Sequence, residues 1–134
     1  MHEWALAESI LAAAQETAAN EKLTQITELT VNLGVLQNID RPILRFALKT
    51  LATEHPVFKA TKFTFKTQQT TLACQACHHT WKPDLKKTLT NDQQEMIHFL
   101  PEAALAYIRC PHCGSPDFHI QTGRGVTIAT IKGD

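Results

Sequence analysis

Long apolar runs are missing from this sequence, and with them any segment able to cross a bilayer as a helix. No signal peptide is visible in the opening residues, so a cytoplasmic location and no membrane partner are expected. An excess of either charge is missing too: 13 Lys and Arg balance 13 Asp and Glu. A nucleic-acid binder would show a basic excess or stripe, and none stands out, so no nucleic-acid partner is expected. No H-E-x-x-H occurs, which removes the usual signature of a zinc hydrolase. Internal repeats and low-complexity stretches are also missing. What remains is a 134-residue chain, 43% hydrophobic, enough for one ordinary domain or a small domain with a metal-stapled lobe.

Cysteine is scarce, and its placement is informative. The four cysteines form two matched pairs, Cys74-Gln75-Ala76-Cys77 and Cys110-Pro111-His112-Cys113. A C-x-x-C turn lets two thiolates converge on one ion, and two such turns supply the four soft ligands of a tetrahedral zinc site. Four protein ligands leave no open position, so the zinc expected here is structural. A redox pair or a disulfide framework competes with this reading. The first needs only one C-x-x-C beside a βαβ pattern, and the second needs an oxidising compartment. The 32 residues 78–109 between the pairs exceed the usual ribbon spacing and imply an insert.

The chain in order predicts an α+β architecture. Ala5, Leu6, Ser9, Ile10, Ala13 and Ala14 fall at helical spacing, with neither Gly nor Pro before Asn20. Leu29, Val31, Leu33 and Val35 then alternate with Thr30, Asn32 and Gly34, the pattern of a strand over 26–36 with one buried face. Asp40 is placed to cap a second helix with Pro42 in its first turn and Leu44, Leu48 and Leu51 on one side, stopped at His55-Pro56. Residues 61–72 read as a strand leading into the first cysteine pair. In the insert, Asn91 and Gln94 suggest a capping box, and Pro101 a break in the helix. Phe118–Thr122 and Val126–Ile131 read as a hairpin around Gly123-Arg124-Gly125. The expected organisation is two helices flanking a sheet of about three strands in residues 1–72, completed by 117–134, and a zinc-ribbon-like lobe at 73–116 with a helical insert.

The start of the chain is a second candidate site. The amine of Met1, the next backbone amide and the imidazole of His2 can close adjacent chelate rings on Ni(II) or Cu(II), ions that favour tetragonal nitrogen sets. Taken alone, a histidine at position 2 is more often incidental.

Met1-His2-Glu3, the strand ending near Gly34, and Cys74–Cys77 resemble the HypA/HybF family of nickel metallochaperones of [NiFe]-hydrogenase maturation. Cys110-Pro111-His112-Cys113-Gly114-Ser115 and Gly123-Arg124-Gly125 carry the same resemblance. Met1-His2-Glu3-Trp4-Ala5-Leu6-Ala7 and Ile97-His98-Phe99-Leu100-Pro101-Glu102 are most similar to the archaeal branch, with its helical insert between the knuckles. The resemblance implies Ni(II) as cargo at Met1, His2 and Glu3 and structural Zn(II) on Cys74, Cys77, Cys110 and Cys113. It also implies delivery with a HypB-type nucleotide-hydrolysing protein to the [NiFe]-hydrogenase large subunit. Val35 departs from the acidic residue many members carry after the glycine, and no Gly-Thr lies between Thr53 and Phe58.

The expected function is therefore a metal-handling protein without catalysis of its own; the alternative is a zinc-ribbon module binding protein or nucleic acid. Glu3 either serves the nickel or stabilises the positive end of its helix. His78 and His79, next to Cys77, either tune the zinc site or sense pH or, as is more usual, are solvated turn residues, and His112 is expected to be exposed; His55 and His119 carry no signal, and Trp4, Trp81 and the phenylalanines are expected to pack. His98, among apolar neighbours, is either a partly buried histidine or a fourth nickel ligand, since three nitrogens leave a planar ion one donor short.

Overall fold

The computed structural model describes every residue except 1, 2 and 38, together with all side chains there but those of 101, 104 and 105. The chain divides into two compact units: Met1–Asn32, Ile39–Lys66 and Thr127–Asp134 form one, and Leu33–Asn38 with Thr67–Val126 the other.

In the first unit, α1 (Glu3–Asn20) packs against α2 (Arg41–Ala52). The side of α1 that is buried carries Ala7, Ile10, Leu11, Ala14 and Ala18; Ala5 and Ala13, expected on that side, face solvent. Small residues on this stripe let the α1 and α2 backbones come close. Asp40 caps α2 as anticipated: its carboxylate accepts from the Ile43 N–H at 3.1 Å, with Pro42 in the first turn. Leu44, Ala47 and Leu48 are fully buried. A three-stranded sheet in the order β2-β1-β6 joins β1 (Ile26–Gly34), β2 (Lys62–Gln68) and β6 (Val126–Gly133). The expected packing of aromatics holds for Phe58 and Phe63 but fails for Trp4, 42% exposed, and Phe46, 65% exposed, which meet edge to face at 5.9 Å.

The second unit is built on another sheet, order β4-β3-β5, from β3 (Thr71–Cys74), β4 (Thr80–Trp81) and β5 (Phe118–Thr122). Both pairings are antiparallel, with Leu72 opposite Trp81 and Cys74 opposite Phe118. Leu36, Leu72, Leu89, Ile97, Ile108 and Phe118 form its core. The insert folds as α3 (Leu85–Thr88), α4 (Asn91–Phe99), a 3-10 turn at Pro101–Ala103 and α5 (Ala104–Tyr107). Its capping box is one residue earlier than expected, from Thr90 and Gln93, because the Thr90 hydroxyl is already aimed at the N3 amide.

Two readings of the strands are corrected. Residues 61–72 are not one strand but two, β2 and the start of β3, in different sheets. Likewise β5 and β6 do not form a hairpin, since β5 pairs with β3 and β6 belongs to the first sheet. The Gly-Arg-Gly between them is held elsewhere: the Gly34 N–H donates to the Gly125 carbonyl at 2.9 Å and the Leu36 N–H to the Gly123 carbonyl at 3.0 Å. A Cβ on Gly34 would lie 2.3 Å from the Gly123 oxygen, so only glycine permits this approach. The strand expected to reach Leu36 stops at Gly34 and continues as a 3-10 turn, Val35–Gln37.

Candidate metal centre

The two cysteine pairs adopt one backbone design. In the first, the Cys74 N–H donates to the His79 carbonyl (2.8 Å) and the His78 N–H to the Cys74 carbonyl (3.1 Å). In the second, the Cys110 N–H donates to the Ser115 carbonyl (3.0 Å) and the Gly114 N–H to the Cys110 carbonyl (2.8 Å). The residue four places after the leading cysteine turns left-handed in both: His78 at φ 64° and Gly114 at φ 75°. In each pair the leading cysteine is buried, Cys74 and Cys110 being 2% exposed, while Cys77 and Cys113 lie toward solvent.

The four sulfurs lie within 4.8 Å of one another, with Cys74–Cys113 at 3.6 Å and Cys77–Cys110 at 3.7 Å. Sulfurs 2.3 Å from a tetrahedral ion are separated by about 3.8 Å, so the donor set fits zinc in type, number and spacing. All four cysteines are free of disulfides. Their ionisation is mutually dependent. At Cys77 the His79 amide favours the thiolate, but burial and the neighbouring sulfurs override it and push the thiol up to about 12. At Cys110 burial acts upward and is outweighed by the Cys113 and His112 amides and the adjacent thiols, which bring it down to about 7. Four thiolates at this spacing repel one another, and a dication is the charge that lets all of them ionise.

Histidines surround the cluster. His79 stacks on Trp81 (6.0 Å between centroids) and on the exposed His112 (5.4 Å), and Trp81 meets Phe118 edge to face at 5.6 Å. The sequence placed these histidines in turns but gave no sign of the stack, which depends on the β3–β4 and β3–β5 registers. His78 is exposed, its position dictated by the left-handed turn. His55 sits near Phe58 in the first unit, and His119 is exposed on β5.

Met1 and His2, the expected start of a nickel chelate, lie outside the described residues. Glu3 is described: it is half-buried in the first turn of α1, and its Oε1 accepts from the Asp40 N–H at 3.3 Å. That contact was invisible in the sequence, since nothing in spacing links positions 3 and 40. His98 lies in the last turn of α4, next to the fully buried Ile97. Burial lowers its pKa from the ordinary histidine value and Glu95 acts in the opposite sense, so its imidazole favours the neutral, ligand-competent form.

Fold and site together define a small α+β protein with a four-cysteine cluster able to hold a metal ion. The family described as "Hydrogenase/urease nickel incorporation, metallochaperone, hypA" matches residues 1–133. The hydrogenase maturation factor HypA of Pyrococcus abyssi is 39% identical over 133 residues, covering 98% of this chain and 95% of that one. That of Thermococcus onnurineus is 37% identical with the same coverage. The solution structure of the Ni metallochaperone HypA from Helicobacter pylori superposes with a TM-score of 0.68 at 22% identity, over 99% of this chain and 97% of that one. This chain belongs to the HypA family of nickel-incorporation metallochaperones. Among the described residues, no helix is long and apolar enough to cross a membrane.

Proposed function

We propose that the protein binds Ni(II) through its N-terminus and delivers it for maturation of [NiFe]-hydrogenase, working in the cytoplasm without catalysis of its own. The observation that carries this reading is the family match along residues 1–133, which includes Met1-His2-Glu3. In this reading the Met1 amine, a backbone amide and the His2 imidazole bind nickel, with Glu3 contributing through its backbone nitrogen while its carboxylate serves the Asp40 N–H. His98 supplies a further imidazole. Cys74, Cys77, Cys110 and Cys113 hold zinc as a structural ion, which cross-links the knuckles that carry β3 and the start of β5. The recipients are a HypB-type nucleotide-hydrolysing protein and the hydrogenase large subunit. A site of few donors at a chain end suits transfer, because a partner offering a fuller ligand set displaces them one by one.

Nickel titration by calorimetry and absorption spectroscopy tests the reading on the chain with a free Met1 amine. One equivalent of nickel is expected. His2→Ala and a one-residue N-terminal extension should each weaken it by about two orders of magnitude, with zinc content unchanged. Undiminished affinity in the extended chain overturns the amine-ligand reading.

A further inference from the structure

In the second unit, residues 98–107 are strung between two anchors. Ile97, beside His98 near the end of α4, is fully buried, and Ile108, just after α5, is 4% exposed; both belong to the core of that unit. Between them Phe99 and Leu100 are exposed, and Ala103 and Tyr107 touch the core only in part. Backbone bonds carry the end of α4 into the 3-10 turn Pro101–Ala103. The Leu100 N–H donates to the Met96 carbonyl at 2.9 Å and the Ala103 N–H to the Leu100 carbonyl at 2.8 Å. A displacement of that turn is therefore felt at the last turn of α4, where His98 stands.

Glu102, in the middle of the turn, meets the Arg124 guanidinium at 2.5 Å. Arg124 has a fixed root, because the carbonyls of Gly123 and Gly125 on either side of it accept from the Leu36 and Gly34 amides. Two cavities meet at the pair: one of about 430 Å³ runs along Gln37, Phe99 and Leu100, and one of about 230 Å³ along Phe118 and Ile120. With space beside it in both directions, the turn is not held to the Gly-Arg-Gly loop there by close packing, and the charge contact spans the gap. The other carboxylate oxygen, Oε2, is buried without a hydrogen-bond partner among the described residues, so Arg124 is what satisfies Glu102.

We propose that the Arg124–Glu102 ion pair is a latch that positions His98: closed, it holds the 3-10 turn and the end of α4; open, it lets both shift. Exposed ion pairs in general contribute little to stability. A latch needs no more than that, since its task is to choose between two placements of one short segment. Ile97 alone fixes a point of α4 and not its orientation, and Glu102 supplies a second point a few residues further on. Arg124 touches no metal donor and acts only through the insert, which makes it a positioning residue. The consequence for nickel rests on the reading of His98 as a ligand; the latch itself is a property of the second unit.

The test compares zinc-loaded full chains: wild type, Arg124→Glu, Arg124→Gln, and Arg124→Glu combined with Glu102→Arg. Without nickel, amide exchange at Leu100 and Ala103 should quicken about tenfold in Arg124→Glu, less in Arg124→Gln, and return to the wild-type rate in the swapped pair. The Gln94 amide, bonded to the Thr90 carbonyl at the start of α4, should not change. Raising salt from about 50 to about 500 mM should move the wild-type amides toward the Arg124→Gln rates. With nickel, Arg124→Glu should weaken affinity about five- to tenfold and shift the ligand-field band as His98→Ala does. The swapped pair should restore both, and Arg124→Glu should add nothing in a His98→Ala background. Unchanged exchange at Leu100 and Ala103, a swapped pair that restores nothing, or a further nickel loss on top of His98→Ala overturns the proposal. Arg124→Gln decides the matter should the reversed variant not fold by circular dichroism. A His98→Ala chain that binds nickel as the wild type does overturns the ligand reading of His98 and the latch's part in nickel binding; the exchange rates still decide whether the latch exists.

Discussion

The Glu3 carboxylate accepts a hydrogen bond from the backbone N–H of Asp40, whose own carboxylate accepts from the N–H of Ile43. The first turn of α1 is thereby tied to the first turn of α2 through two side chains, each satisfying an amide that a helix start leaves open. Asp40→Ala should cost about 1 kcal/mol, and Asp40→Asn much less, because asparagine caps nearly as well. Glu3→Ala should cost about 0.5–1 kcal/mol and Glu3→Gln little, since the amide oxygen still accepts. Urea denaturation of zinc-loaded protein checks the four values. The same Glu3 variants divide its roles in metal binding. A nickel affinity that survives Glu3→Gln within about tenfold keeps the carboxylate on Asp40; a loss of several orders of magnitude moves it to the metal.

Cys110 is a buried member of the cluster and belongs to the second unit. Cys110→Ala should abolish stoichiometric zinc and remove a binding free energy of about 10–16 kcal/mol, the range of small structural zinc sites. Order should be lost in residues 78–116 while α1 and α2 persist. Metal analysis and amide exchange report both effects, and retained stoichiometric zinc in this variant would contradict the four-thiolate assignment.

Acid should release zinc. Each thiolate ligand must shed its proton on binding, and Cys77, pushed up to about 12, holds its proton across the whole neutral range in the metal-free state. Cys110, brought down to about 7, is half ionised there and becomes protonated as pH falls. Apparent zinc affinity should therefore drop by at least about tenfold per unit of falling pH through neutrality. Chelator competition between pH 8 and 6 measures the slope. An affinity flat over that interval would mean that thiolates are not the donors.

His98 bears on nickel. Burial keeps its imidazole neutral to lower pH than a solvent-exposed histidine, the direction that preserves a ligand as acidity rises. If it completes the nickel set, His98→Ala should weaken nickel by about ten- to a hundredfold, the size of effect that outer ligands and their supports produce. The ligand-field band should shift as well. Identical affinity and spectrum, with and without the HypB-type partner, return His98 to a structural role in α4.

His78 and Gly114 occupy equivalent left-handed positions of the two knuckles, which permits a matched pair of substitutions. His78→Gly should stabilise the zinc-loaded protein by roughly 0.5 kcal/mol, the left-handed penalty less the extra freedom of unfolded glycine. Gly114→Ala meets no atom within 4 Å, so its cost should be the backbone term alone, about 1 kcal/mol. Thermal denaturation distinguishes this from a role for the His78 ring at the metal, which would make His78→Gly destabilising and lower zinc affinity.

The elements whose cause is local could be read from the residues. α1 and α2 follow from spacing and from the Asp40 cap, and the four-cysteine cluster from C-x-x-C turns that close over a few residues of chain. Spacing alone also implied the insert and the break at Pro101. What the tertiary structure decided was partnership at a distance. Residues 61–72 and 118–131 alternate as strands should, but alternation says nothing about which sheet a strand joins. That choice rests on Gly34, Gly123 and Gly125 allowing backbone approaches that a Cβ would forbid at two of the three, and on Thr70 packing under Gly123. Trp4 and Phe46 looked like core residues because hydrophobicity does not tell which side of a helix finds a neighbour. The Glu3–Asp40 bond, the His79 stack and the Glu102–Arg124 pair arise the same way: each joins residues that only folding brings together, through contacts that no local spacing encodes.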